Sequence, residues 1–191
     1  EQFNDENPIL DTELENLRVN AVHQSITKSN ITLGLRVSKA NLRIQQYDKE
    51  IAPKIVFDLL QSCIKARCNV LISGKTGSGK TEMQKYLVKY INDTDKIVLI
   101  EDTMDSHLKD LYPDKDILSW TTNERINYAI DFDKLIKTAL RNNPEWIIIS
   151  ETRGSEAYSM LKSCLSGHHI ITTLHSTDAK SNVERLIHMC K

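Results

Sequence analysis

The spacing of apolar and polar positions changes once along the chain, near residue 50. Before it, Ile31-Thr32-Leu33-Gly34-Leu35-Arg36-Val37 alternates with the two-residue period of a strand that buries one face. Arg18-Val19-Asn20-Ala21-Val22 is its expected partner. Beyond it, helical stripes and short continuous apolar runs take turns. Val56, Leu59, Leu60, Cys63 and Ile64 form one stripe, opened by Pro53. Val70-Leu71-Ile72 reads as a parallel strand covered on both faces. A helix from Lys80 would bury Met83, Leu87, Val88 and Ile91, ahead of a strand at Ile97-Val98-Leu99-Ile100. Phe132, Leu135, Ile136, Ala139 and Leu140 mark the next helix, which Asn143-Pro144 stops before the strand Trp146 to Ile149. Ala157, Met160, Leu161, Cys164 and Leu165 give another, closed by Gly167. Ile170-Ile171 opens the last strand, and Val183, Leu186 and Ile187 line a final helix.

Strand–helix alternation of this kind predicts an α/β fold with a largely parallel sheet over residues 49–191. Residues 1–48 are too short for a domain of their own. They read as the trailing part of a small N-terminal α/β domain plus a linker.

Composition narrows the function classes. Forty per cent hydrophobic residues in 191 is enough for a packed core and argues against global disorder. With 25 basic and 26 acidic residues the net charge is -1, so nucleic-acid binding is not indicated. Cys63, Cys68, Cys164 and Cys190 lack zinc-ligand spacing and read as core thiols in a reducing compartment. No apolar run approaches the ~20 residues of a membrane span, and the acidic start is unlike a signal peptide. The expectation is a cytoplasmic protein with at most peripheral membrane contact.

The strongest chemical signal is Gly74-Lys75-Thr76-Gly77-Ser78-Gly79-Lys80-Thr81, which satisfies G-x-x-x-x-G-K-[ST] between a strand and a helix. Glycines let successive N–H groups converge on an anion, and the helix directs its positive end at the phosphates. Lys80 supplies a charge for the β- and γ-phosphates, and Thr81 a hydroxyl for Mg²⁺. ATP and Mg²⁺ are therefore the expected ligands. Such a site also needs carboxylates. Glu101, Asp102 and Asp105 follow one apolar strand, and Glu151 follows another, where strand ends form the ligand crevice.

Taken together these blocks resemble the secretion (traffic) ATPases, hexameric motors of type II and type IV secretion, conjugation and type IV pili. The match runs from about Arg18 to the end of the chain. It rests on the phosphate loop, Ile-Glu-Asp-Thr at 100–103, Asn-Pro-Glu-Trp to Glu-Ala at 143–157, and Gly-His-His-Ile-Ile-Thr-Thr-Leu-His-Ser-Thr at 167–177. Arg153-Gly154 and Asp102-Thr103 lean toward the type IV secretion and conjugation branch.

The resemblance implies a RecA-like P-loop core, a homohexamer, and partners among inner-membrane secretion or conjugation components. It also implies a C-terminal helical part beyond residue 191. Asp105 takes the position of the water-activating glutamate, one methylene shorter, with Glu101 as the alternative. Glu151 falls on the glutamate that helps to bind Mg²⁺ and water, after Ser150 in place of the usual glycine. His175 falls on a polar sensor of the γ-phosphate, and His168 on a coupling element. Arg125 or Arg141 is the candidate arginine finger. The competing readings are a nucleotide-binding scaffold with little turnover and another P-loop enzyme, such as a small-molecule kinase.

Overall fold

A computed structural model describes residues 2–14, 16–123 and 129–191. The chain divides into two compact units, Glu1–Ala40 and Asn41–Lys191.

The first unit is an antiparallel sheet in the order β1-β2-β3, formed by Ile9–Leu14, Leu17–Val22 and Thr32–Val37. A short helix, α1 (Gln24–Thr27), follows β2. The two strands expected here pair as anticipated, with Leu17, Val19 and Ala21 opposite Val37, Leu35 and Leu33. Because the side-chain period is two, these residues share one face. That face is not buried as its alternation predicted: Ala21 is covered, but Leu33, Leu35 and Val37 remain exposed.

The expected boundary at 48/49 moves to 40/41. Residues 41–48 show no periodicity, yet they belong to the second unit. Ile44 is buried in its core, and the Arg43 amide donates to the Glu82 carboxylate at 2.9 Å.

The second unit is a RecA-like α/β core. Its sheet has the order β4-β8-β7-β5-β6, and every neighbouring pair is parallel. The strands are β4 (Val70–Gly74), β5 (Ile97–Glu101), β6 (Ile117–Thr121), β7 (Trp146–Ile149) and β8 (His169–His175). Among the described residues six α-helices accompany them: α2 (Lys54–Lys65), α3 (Lys80–Val88), α4 (Leu108–Leu111), α5 (Phe132–Ala139), α6 (Glu156–Leu165) and α7 (Ser181–Met189).

The continuous apolar runs of β5 and β7 are buried on both faces, as parallel strands require. Ile97, Leu99, Trp146 and Ile148 pack with Phe57, Ile64 and Leu87 from α2 and α3. Val98, Ile100, Ile147 and Ile149 pack with Ile136, Ala139 and Met160 from α5 and α6. α6 ends at Leu165 with Ser166 as its C-cap, and Gly167 follows with φ +94°, the left-handed stop its sequence announced.

The helical stripes need correction in detail. On α2 the inward residues are Phe57, Leu60 and Ile64, while Leu59 is 60% exposed. Leu165 of α6 is 90% exposed, and Val183 and Ile187 of α7 are also outside. On α2 and α6 a core-facing set at i, i+3 and i+7 coexists with further apolar residues beside it, whereas on α7 Leu186 alone packs against the core among the described residues.

Candidate functional site

Register in the parallel sheet brings the chemical groups together. Gly74, the last residue of β4, lies opposite His175, the last of β8. β7 runs between β8 and β5 and leads directly into Ser150 and Glu151. That extension is pinned on both sides: the Ser150 amide donates to the Ile100 carbonyl at 2.9 Å, and the Thr152 amide to the Thr173 carbonyl at 2.9 Å. The phosphate-loop motif, Glu101, Glu151 and His175 therefore emerge at the carboxyl ends of adjacent strands, where α/β sheets bind ligands.

The 74–81 segment joins β4 to α3 through two glycines in the left-handed region. Gly77 and Gly79 have φ of +77° and +88°, and a Cβ at either would meet nothing within 4 Å. Backbone conformation alone requires glycine there. Gly74 is different, because its Cβ would lie 2.5 Å from the Ser78 hydroxyl. α3 begins after Gly79 with no side-chain cap, so an anion is the natural complement of its first amides. Thr81 stands exposed in that first turn. Behind it, fully buried Gln84 ties α3 to the sheet by donating to the Ile149 carbonyl at 2.9 Å.

Lys80 is buried, and its ammonium donates to the carbonyls of Gly74 at 3.0 Å and Lys75 at 2.9 Å. It also lies 3.4 Å from His175 Nδ1. The other imidazole nitrogen, Nε2, is 3.1 Å from Glu151 Oε1. The arrangement fits an imidazole that donates through Nε2 and accepts through Nδ1. The second Glu151 oxygen accepts from Arg153 at 2.9 Å, and the same guanidinium reaches Asp102 at 2.8 Å. Five side chains, from the start of α3, the end of β8 and the segments after β5 and β7, thus form one connected polar chain.

The acids after β5 divide into distinct environments. Glu101 is 1% exposed, and its carboxylate accepts from the Ser106 amide at 3.0 Å, closing the 102–105 loop. Burial raises its pKa to about 7; hydrogen bonding from Ser106 pulls it down, and the nearby charges of Asp105 and Asp102 add to the rise. Asp105 is half-buried in the loop that Glu101 closes, its amide donating to the Thr103 carbonyl at 2.8 Å.

Thr81 and Glu151 are hard oxygen donors of the kind Mg²⁺ prefers, so the residues present fit the ion. Among the described residues no group of three or more His, Cys, Asp or Glu side chains could hold a metal. A magnesium ion completed by phosphate and water needs only one or two protein oxygens. Of the remaining candidates, Arg141 is exposed in the 3₁₀ turn Leu140–Asn142, before the amino end of β7. It is separated from the loop by the length of that strand. Arg125 lies outside the described residues. His168 is half-buried beside the Ser166 hydroxyl at 3.3 Å, also at the amino end of a strand.

A family model described as Type II/IV secretion system protein matches residues 8–191. The chain belongs to that family. Over all of its 191 residues it is 42% identical to an uncharacterized protein of Bacillus anthracis, covering 42% of that protein. It is 35% identical over 134 residues to the type IV secretion system protein PtlH of Bordetella pertussis, covering 70% of this chain and 40% of the relative. The crystal structure of the VirB11 ATPase from the Brucella suis type IV secretion system aligns with a TM-score of 0.62 at 23% identity. That alignment covers 98% of this chain and 62% of VirB11, and it supports the RecA-like fold. This type II/IV secretion family member spans about two-fifths of the length of the curated relatives it matches. Among its described residues no helix is long and apolar enough to cross a membrane.

Two groups in the site carried weak sequence signals. Gln84 sits in the polar part of a helical pattern, and only the fold shows that it is buried. Arg153 was legible as part of a family block, but its bridging of Asp102 and Glu151 depends on β5 and β7 being neighbours.

Proposed function

We propose that this family member binds ATP with Mg²⁺ and hydrolyses it as the nucleotide-binding part of a homohexameric motor. The motor powers type IV secretion, conjugative transfer or pilus-type assembly with inner-membrane components, from the cytoplasmic face of the membrane. The observation that carries this reading is the contact chain from Lys80 through His175 to Glu151. It links the phosphate loop to a carboxylate at the end of a neighbouring strand.

Each residue has a task in that reaction. The amides of residues 77–81 hold the phosphates, and Lys80 exchanges its carbonyl partners for phosphate oxygens. Thr81 and Glu151 would hold Mg²⁺, which would supply positive charge to offset that of the phosphates. Asp105 orients and deprotonates the attacking water. Glu101, already committed to the Ser106 amide, positions the loop that carries Asp105. His175 lies between Lys80 and Glu151, and so senses whether the γ-phosphate has drawn the ammonium away. An arginine finger, Arg125 or Arg141, serves a neighbouring copy's nucleotide.

Product analysis tests this proposal. With Mg-ATP the protein should release ADP and inorganic phosphate in equal amounts, and Lys80→Ala should abolish both nucleotide binding and release. ADP formed without free phosphate would mean transfer to an acceptor, as in a kinase. Tight nucleotide binding without turnover would mean a scaffold.

A further inference from the structure

Arg153 joins two loops that the chain brings together only through the sheet. Its guanidinium spans Glu151 Oε2 at 2.9 Å and Asp102 Oδ2 at 2.8 Å, one after β7 and the other after β5. Both carboxylates are largely covered, with side-chain exposures of 15% and 28%, whereas the Arg153 side chain is 58% exposed. The pairing therefore has a fixed acidic side and a basic side that can swing into solvent.

Two further contacts separate the guanidinium from the architecture around it. The backbone of the 153–154 turn is held by Glu156, whose Oε1 accepts from the amides of both Arg153 and Gly154. Glu151 is oriented independently by His175 on its other oxygen. Departure of the guanidinium leaves the turn anchored and the carboxylate aimed. It removes one positive charge from beside Glu151 and frees one oxygen of it.

Resting on the reading of Glu151 as a magnesium ligand, we infer that Arg153 is a displaceable counter-ion. It competes with Mg²⁺ for Glu151, and Mg²⁺ binding detaches the 150–154 loop from Asp102. A cation that holds two carboxylates together without a metal opposes the metal's entry by simple electrostatics. Arg153 is thus a positioning residue that sets the magnesium threshold of the site and couples metal binding to the loop bearing Asp105. An arginine suits this role through its planar fork, whose two terminal nitrogens each serve one carboxylate.

The test is a Mg²⁺ titration of binding of a fluorescent ATP analogue to the full chain, with Arg153→Gln and Arg153→Lys variants. Arg153→Gln should lower the Mg²⁺ midpoint by roughly 3- to 5-fold, the size expected of one partly exposed charge pair. Arg153→Lys should stay closer to the parent. In a Glu151→Gln background the Arg153→Gln shift should vanish. A midpoint that is unmoved or raised by Arg153→Gln overturns the inference, as does a shift of the same size without the Glu151 carboxylate. Nucleotide binding that survives Lys80→Ala would instead overturn the proposed function, and that control is read before any Mg²⁺ is varied.

Discussion

At the scale of single residues, the account turns on which carboxylate does what. Asp105→Asn should leave nucleotide binding intact and lower hydrolysis on the order of 10²- to 10⁴-fold, the range of a lost general base. Steady-state kinetics with a nucleotide-binding assay separate the two effects, and wild-type turnover in Asp105→Asn would remove it as base. Glu101 carries a different expectation. Its pKa of about 7 in the folded protein exceeds the ordinary 4.5, chiefly through burial. The native state therefore keeps this proton over a pH range in which the unfolded chain has released it. Its contribution to stability falls as pH rises from about 4.5 to about 7 and is level above that. Glu101→Gln should remove that part of the pH dependence, worth roughly 3 kcal/mol across the window. Denaturant melts of both proteins at pH 5 and pH 7.5 measure it, and identical slopes would contradict the buried-carboxyl picture.

At the scale of elements, legibility followed burial. The runs at 97–100 and 146–149 were readable because both faces of those strands are covered, leaving no polar alternation to confuse them. β6 was missed because Ile117-Leu118-Ser119-Trp120-Thr121 mixes polar and apolar residues at the sheet's edge. β1 was missed because Asp11, Thr12 and Glu13 mask the strand in a sheet with little cover. The phosphate loop, Glu151 and His175 were legible as motifs. The Lys80–His175–Glu151–Arg153–Asp102 chain was not, since it depends on the strand order β4-β8-β7-β5. Helix ends give a direct check on these boundaries. Asp131 caps α5 by accepting from the Lys134 amide at 2.8 Å. Asp131→Ala should cost about 1 kcal/mol, measured by urea unfolding. Gly167→Ala forces a side chain into φ +94° with open space around it, and should cost about 1 to 2 kcal/mol through backbone strain alone. A neutral result at Gly167 would contradict the left-handed stop.

At the scale of the whole molecule, the chain is two units with unequal roles. All residues assigned to nucleotide chemistry that the structure describes lie within Asn41–Lys191, which has its own two-sided core. A protein starting at Asn41 should keep cooperative unfolding and Lys80-dependent nucleotide binding, whereas one starting at Lys49 should lose stability with Ile44 and the Arg43–Glu82 contact. Thermal melts of the two compare the 40/41 and 48/49 boundaries directly. Oligomerisation belongs to this scale as well, because the arginine finger proposed for the site serves a neighbouring copy. The most direct measurement is phosphate release from Mg-ATP over a wide range of protein concentration, with Lys80→Ala as control. The account predicts specific activity that rises with concentration and disappears in the variant. Activity per molecule that stays constant at every concentration would contradict active sites shared between copies, and release that persists in Lys80→Ala would contradict hydrolysis at the phosphate loop.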